Sequence, residues 1–351
     1  MNASTHLLWR MDLRKLFVLL YAVLPVMFYL VPWLASVEQG GLLFHFFKTF
    51  FVDSATLLTL VVGYVLLGIG FLIALKPTGY VLTMTTRRSG VSDVIACGLF
   101  FLYFKVDGGI GGALILPVII VLISRRWPHH LAFLSMGLIA TSELLFHEDR
   151  YPVMLVLMLW ALPWVAGFSY KRLVLAAGGS LVLLIYVLQP LRSGLMPFSG
   201  GSKLSELGYF AAHLQPIYIG AYLSNALEFS ERVLWAEAVP TLKSLLGSAS
   251  VVDRVADVAL PFELIQTGTR LGSNSSMYFS STGWPVLVYC LALIGALAFL
   301  FRSRLFRNSL LILLVIQGPY FVRRSFGSLV IDIIVLALVV AVMTVLIHVL
   351  K

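Results

Sequence analysis

Four arginines stand in short polar stretches at the ends of long apolar runs: Arg150, Arg192, Arg323 and Arg324. The guanidinium group is planar and donates two parallel hydrogen bonds, a geometry that suits two phosphate oxygens. Each arginine could instead extend to lipid phosphates or pair with a nearby acid. Because four of them occupy similar positions, a shared anionic ligand is the second interpretation, and both stay open.

Acid–base candidates lie in the more polar segment 190–281. His213 is its only histidine, and Glu263 follows a proline in "PFELIQTGTR", close to the next apolar run. Either side chain could accept the proton of a hydroxyl within hydrogen-bond reach, as a general base does. Either could equally be a solvated residue of an amphipathic helix. No metal-ligand spacing such as His-x-x-x-His and no nucleotide-binding loop occurs, so we expect no metal and no other cofactor.

Further charged residues lie inside or beside apolar runs. Lys105 and Asp107 flank the glycine-rich stretch "KVDGGIGG", where they could form a local ion pair. Glu143 and Asp332 fall within apolar runs, and an acid in such a position is commonly functional. Either acid could equally be a structural partner of Arg150 or Arg323.

The composition indicates what must position these residues. Of 351 residues, 60% are hydrophobic and only 12% are charged, against about 25% charged residues in average chains. Long apolar runs recur along the whole chain, which predicts an all-α polytopic membrane protein. Both cysteines fall inside predicted spans, so a disulfide scaffold is not expected.

The apolar runs predict about ten transmembrane helices, at residues 15–36, 54–75, 91–106, 109–124, 130–147, 151–168, 172–189, 283–301, 308–321 and 326–349. Basic residues concentrate in alternate connections, such as Arg125–Arg126 and Lys171–Arg172, and this asymmetry predicts that both termini are cytoplasmic. The net charge of +9 is therefore ascribed to topology, and nucleic acid is not an expected partner.

The chain accordingly divides into spans one to seven (1–189), an external segment (190–281) and spans eight to ten (282–351). The external segment contains two helix-start patterns, Asn225 with Glu228 and Ser250 with Asp253. The second precedes an apolar face that ends before Pro261. We expect amphipathic helices that cover the outer ends of the spans.

Two stretches carry a resemblance to a known family. The Gly/Ser/Asn-rich entry "TRLGSNSSMYFSSTGWPVLVYCLALIGALAFLF" (269–301) and the arginine hairpin "HEDRYPVMLVLML" (147–159) are similar to those of Wzy-type oligosaccharide repeat-unit polymerases, the O-antigen polymerases. The large external segment between late spans also resembles that family. The resemblance covers most of the chain as architecture and about 45 residues as motif.

The resemblance implies a GT-C-like fold in the bacterial inner membrane, with the active face periplasmic. It implies a membrane glycosyltransferase that moves a glycan from undecaprenyl diphosphate to a sugar hydroxyl of another lipid-linked unit, in the synthesis of lipopolysaccharide or a related surface polysaccharide. The four arginines would then hold the diphosphate, and His213 or Glu263 would assist the hydroxyl. Partners implied are the lipid-linked oligosaccharide, membrane lipids and a chain-length regulator.

Two alternatives remain. O-antigen ligases share the architecture, but Ser273 stands ten residues before Gly283, where ligases usually carry a histidine. A flippase or another transporter for lipid-linked glycans would share the composition, and such proteins often show broken spans in matching halves. Only "KVDGGIGG" looks broken here, and no counterpart is evident.

Overall fold

The chain is described by a computed structural model over residues 8–24, 54–76, 79–85, 90–105, 109–147, 151–183, 187, 303–320 and 326–349, with scattered positions in 292–299. Within these residues, 88% are helical. The helices coincide with apolar runs of the sequence. For example, the run at 130–147 forms a helix from His130 to His147.

The described elements, in chain order, are β1 (Leu8–Asp12), α1 (Arg14–Val18, continued by a π-helical turn Leu19–Val23), α2 (Ser54–Leu75), β2 (Val81–Thr85), α3 (Gly90–Lys105), α4 (Gly109–Arg125), α5 (His130–His147), α6 (Tyr151–Val165), α7 (Tyr170–Leu183), α8 (Arg304–Gln317, followed by a 3-10 turn Gly318–Tyr320) and α9 (Phe326–Val349).

An antiparallel sheet of β1 and β2 joins two segments that are far apart in the chain. The register pairs Leu8 with Thr85 and Asp12 with Val81. In β2, buried Leu82 and Met84 alternate with half-buried residues, which is the period of a strand with one covered face. The expectation of an all-α fold is therefore wrong at this sheet.

Helix α8 forms the centre of the hydrophobic core. It packs against α4, α6 and α9, and α4 also packs against α9. Ser303 caps its first turn, since its hydroxyl accepts a hydrogen bond from the amide of Phe306. Every residue from Asn308 to Gln317 is buried. In contrast to α8, helices α3, α5 and α9 have outer faces on which large apolar side chains are exposed, among them Val94, Leu131, Leu134, Leu138 and Val342.

The helical assembly has two ends, defined by side-chain contacts. One end carries the sheet of β1 and β2 and is called the hairpin end. There, the Arg304 side chain at the start of α8 donates a hydrogen bond to Thr83 in β2, and Ser124 near the end of α4 shares a hydrogen bond with Ser309. Helices α3 and α5 also begin there, where Asp93 bonds to the amide of His129. At the far end, α3, α5 and α8 terminate and α9 begins.

The expectation of about ten transmembrane helices is also wrong. Among the residues that the structure describes, no helix combines the length and the apolarity that crossing a membrane requires. The six helices α3 to α8 have only 14–18 residues. At about 1.5 Å per residue they extend about 21–27 Å, less than the roughly 30 Å of a hydrocarbon core.

The physical reason for the error is that an apolar run has two explanations. A helix that is apolar on all sides is either a membrane span or the interior of a larger core. The run at 308–321 was assigned as a span, whereas α8 is enclosed by other helices of the same chain. The assignment to the bacterial inner membrane as a multi-pass protein depended on these spans, as did the GT-C-like architecture, and both are corrected with them.

Candidate functional site

The far end carries an ion pair between two helices. The Nζ atom of Lys105, the last residue of α3, lies 2.9 Å from Oε1 of Glu143 on α5. The lysine side chain is 42% exposed and the glutamate side chain only 6%. A cation at the last residue of a helix is also stabilised by the helix dipole. The ammonium group of Lys105 is therefore exposed to solvent, whereas the carboxylate of Glu143 that balances its charge is buried.

The sequence did not predict this partner for Lys105. It suggested a local pair with Asp107, and it offered Arg150 or Arg323 as a structural partner for Glu143. Asp107 and Arg150 lie outside the described residues. Contact between α3 and α5 brings Lys105 and Glu143 together, and no short-range spacing indicates it.

A second polar pair lies between α8 and α9 at the same end. The side-chain amide of Gln317 donates from Nε2 to Oδ2 of Asp332 at 2.9 Å. Gln317 is buried, and its Oε1 has no hydrogen-bond partner among the described residues. A buried carbonyl oxygen without a donor is costly, by about 1–3 kcal/mol. This pair therefore holds an oxygen that could accept a hydrogen bond.

The end of α8 is fixed in place by α1. The hydroxyl of Tyr21 donates to the carbonyl oxygen of Leu314 at 2.6 Å. Tyr21 is fully buried, and this burial raises the pKa of its hydroxyl well above the ordinary value of 10.0. Gly318, the first residue after α8, has no room for a side chain, since a Cβ there would lie 2.7 Å from Cδ1 of Leu20. These two contacts, on either side of Gln317 in the chain, hold that residue in place.

The residues singled out from the sequence as site residues all lie outside the described residues: Arg150, Arg192, His213, Glu263, Arg323 and Arg324. Their roles stay predictions. Two of the connections that carry them adjoin the far end in the chain. Arg150 directly precedes Tyr151, where α6 begins, and Arg323 with Arg324 lies between the turn after α8 and the start of α9.

The hairpin end is also polar, but its contacts are those of a structural joint. The Arg304 side chain donates from Nε to the hydroxyl of Thr83 at 2.9 Å. Asn308 accepts from the amide of Thr83 at 3.3 Å and donates to its carbonyl oxygen at 2.5 Å. Ser124 and Ser309 share a hydrogen bond of 2.6 Å. This cluster was not predicted from the sequence, in which the alternation of apolar and polar residues in β2 was the available signal.

An open groove of about 900 Å³ runs between α3 and α5. Asp93, Cys97 and His129 line it, a set of residue types that nucleophilic catalysis uses. The thiol of Cys97, however, points to the carbonyl oxygen of Ala132 at 3.6 Å, and Nδ1 of His129 accepts from the amide of Leu131 at 3.3 Å.

The electrostatics also oppose a nucleophilic thiolate. Burial, and secondarily the negative charge of Asp93, raise the pKa of the Cys97 thiol above its ordinary value. Reactive cysteines have lowered pKa values instead. Within the described part of the chain, no group of three or more His, Cys, Asp or Glu side chains could hold a metal. Cys97 is therefore no candidate for nucleophilic catalysis in this groove.

No family model, no curated protein and no solved structure matches the chain. The far end consequently has to be interpreted from its own groups. These are an exposed ammonium with a buried countercharge, and a fixed carboxylate–amide pair with an unsatisfied oxygen. The exposed ammonium group can bind an anionic ligand, whereas the unsatisfied oxygen of Gln317 is buried.

Proposed function

We propose that this protein is a glycosyltransferase that polymerises lipid-linked oligosaccharide repeat units. It transfers a glycan from undecaprenyl diphosphate to a sugar hydroxyl of a second lipid-linked unit. The observation that carries the proposal is the Lys105–Glu143 pair, which presents a held cation at the end of the assembly. The stretches 147–159 and 269–301, which resemble the polymerase family, supply the reaction class.

The reaction needs positive charge at the leaving group. The bond between the anomeric carbon and the diphosphate oxygen breaks, and lipid diphosphate departs with the bonding electrons. Fixed cations stabilise this charge because they need no rearrangement as it develops. We assign this role to Arg150, Arg192, Arg323 and Arg324, with the Lys105 ammonium as an additional donor.

The acceptor hydroxyl forms the new bond to the anomeric carbon and loses its proton. His213 or Glu263 is the proposed base, and the acid–base step would contribute about 10²–10⁴-fold to the rate. The energy for the transfer is stored in the glycosyl–diphosphate bond, so the reaction requires no nucleotide. A chain-length regulator is the proposed protein partner, since chain growth by repeated transfer has no intrinsic end point.

The test is deletion of the gene, followed by gel separation of the surface polysaccharide. Loss of a polymerase leaves single repeat units attached to their final acceptor. Absence of all repeat units from the surface would indicate a flippase and contradict the proposal. Polymer that accumulates on the carrier lipid would indicate a ligase and contradict it equally.

Complementation with Arg150→Lys and Arg150→Ala tests the assigned leaving-group role. Because lysine keeps the charge but loses the paired donors, we expect shortened polymer for Arg150→Lys and a larger loss for Arg150→Ala. The matched control is Arg172→Ala, in which an exposed arginine at the start of α7 is removed. Wild-type polymer length in both Arg150 variants, at equal protein levels, would exclude that role.

A further inference from the structure

We propose that the hairpin end binds a phosphomonoester, held by the side chains of Arg10, Arg304 and Arg307 where α8 begins. The phosphate belongs either to a free phosphate ester or to a lipid head group. The site lies at the opposite end of the assembly from Lys105, and the inference does not depend on the proposed function. It stands on three guanidinium groups that form no ion pair with any carboxylate of the described residues.

Thr83 orients Arg304. The guanidinium group donates from Nε to the Thr83 hydroxyl at 2.9 Å and from Nη2 to the Thr83 carbonyl oxygen at 3.3 Å. Because a guanidinium group carries five N–H donors in a rigid fork, these bonds leave Nη1 with both of its hydrogens. The Arg304 side chain is exposed. Its remaining donors are therefore fixed in direction and open to a ligand.

The strand register brings Arg10 beside Thr83. The two residues lie directly opposite each other in the antiparallel sheet. The amide and carbonyl groups of Thr83 both bond to the Asn308 side chain on α8, on the side away from Arg10. Arg10 and Thr83 are therefore a non-hydrogen-bonded pair, the type with the closest side chains and with Cα atoms about 4.5 Å apart. The Arg10 side chain consequently begins next to the hydroxyl that orients Arg304.

Arg307 adds a third cation on the first turns of α8. It follows Arg304 by three residues, a spacing that makes the two side chains neighbours on the helix surface. Its Nε atom is buried and has no hydrogen-bond partner among the described residues. A buried donor of a charged group is costly when it has no acceptor. A bound anion would supply that acceptor.

The start of α8 also favours negative charge. Ser303 caps the amide of Phe306, but the amides of Arg304 and Leu305 precede the first intrahelical bonds. These amides and the positive end of the helix dipole both attract an anion.

The charge balance and the number of donors favour a phosphomonoester. The acid nearest to Arg10 in the chain, Asp12, accepts a hydrogen bond from the amide of Arg14 at 2.9 Å. One carboxylate beside three guanidinium groups leaves the cluster positive, which suits a dianion. Each guanidinium fork matches two oxygens of a ligand. The three terminal oxygens of a phosphomonoester serve three forks better than the two oxygens of a carboxylate.

The first test is titration of the full-length protein with glycerol 3-phosphate at constant ionic strength, followed by phosphorus NMR. We expect saturable binding that Arg304→Gln and Arg307→Gln each weaken about tenfold, through the lost charge-assisted hydrogen bonds. Arg10→Gln should weaken it about threefold, because Arg10 is exposed. The matched control is Arg172→Gln, which removes the same charge from an exposed position at the start of α7 and should bind as the wild type does.

Arg10→Gln keeps the test decisive if loss of the Thr83 bonds unfolds Arg304→Gln. The Arg10 side chain forms no hydrogen bond or ion pair with other described residues, so its removal should leave the fold intact.

Vesicles separate the two sources of the phosphate. The wild type and the variants are floated with phosphatidylcholine vesicles that contain or lack phosphatidic acid. Recruitment by phosphatidic acid that the three cluster variants reduce and Arg172→Gln retains would assign the site to a lipid head group. The same dependence for glycerol 3-phosphate alone would assign it to a free ester. If neither assay distinguishes the cluster variants from Arg172→Gln, the inference is overturned.

Discussion

The two ends of the helical assembly are both polar, yet they are built differently. At the hairpin end, Asn308 and Thr83 exchange two hydrogen bonds, and Ser124 bonds to Ser309. At the far end, Lys105 carries an exposed charge over a buried glutamate, and Gln317 keeps an oxygen without a donor among the described residues. Hydrogen bonds between buried neutral groups fasten elements together, whereas an exposed charge is what an anionic ligand can use.

The largest expected effect is at the far end. Lys105→Met leaves the carboxylate of Glu143 buried without this partner, and we expect a loss of about 1–3 kcal/mol in the free energy of unfolding, reduced by the exposure of the lysine. Adding Glu143→Gln should restore most of the stability but not polymer formation. Denaturant unfolding of both variants checks the first part. Full activity of the double variant would show that the pair is structural only.

A smaller effect on stability, and none on activity, is expected at the hairpin end. Asn308→Leu removes both of its hydrogen bonds to Thr83, although the Thr83 carbonyl oxygen still accepts from Nη2 of Arg304, and the change should cost about 1–2 kcal/mol. The midpoint of chemical denaturation measures this loss. Polymer length at matched folded protein should be unchanged. A specific loss of activity in this variant would remove the distinction between the two ends.

A loss of stability at alkaline pH is expected from Tyr21. Its pKa is raised by burial in the folded state, so the unfolded chain releases the proton first, and stability should fall as pH rises above about 10. Tyr21→Phe loses the bond to the Leu314 carbonyl, about 1 kcal/mol at neutral pH, and should flatten the alkaline decline. Unfolding curves at neutral and alkaline pH compare the two proteins. An equally steep decline in Tyr21→Phe would assign the effect to other groups.

The smallest effect is expected between the two ends. Gly137 lies inside α5, where a Cβ meets no atom within 4 Å. Gly137→Ala should therefore stabilise the protein by about 0.5–1 kcal/mol, through helix propensity and a less flexible unfolded chain. Thermal unfolding measures the shift. A destabilised Gly137→Ala variant would mean that this face of α5 is covered.

The positions of the helices could be predicted from the sequence, but the surroundings of those helices could not. The run at 130–147 became α5 because a long apolar segment bounded by polar residues favours a helix. The same apolarity suggested membrane spans, and that prediction was wrong within the described residues. Hydropathy measures how much a segment avoids water and does not state what covers it.

The site was predicted less well than the helices. Glu143 and Asp332 were recognised as acids inside apolar runs, but their partners Lys105 and Gln317 were not. An ion pair between helices depends on which faces pack together, and no spacing in the sequence encodes that. The arginines and the acid–base candidates remain predictions, since they lie outside the described residues.

The sequence by itself determined which stretches form apolar helices, because helix formation depends on local composition, but it placed their ends only approximately: the predicted run 308–321 corresponds to Arg304–Gln317. Only the tertiary structure decided that β1 pairs with β2, that α8 is enclosed by other helices, and that Lys105 on α3 pairs with Glu143 on α5. These features join residues that are distant in the chain, and such contacts are fixed by packing and burial of the whole assembly.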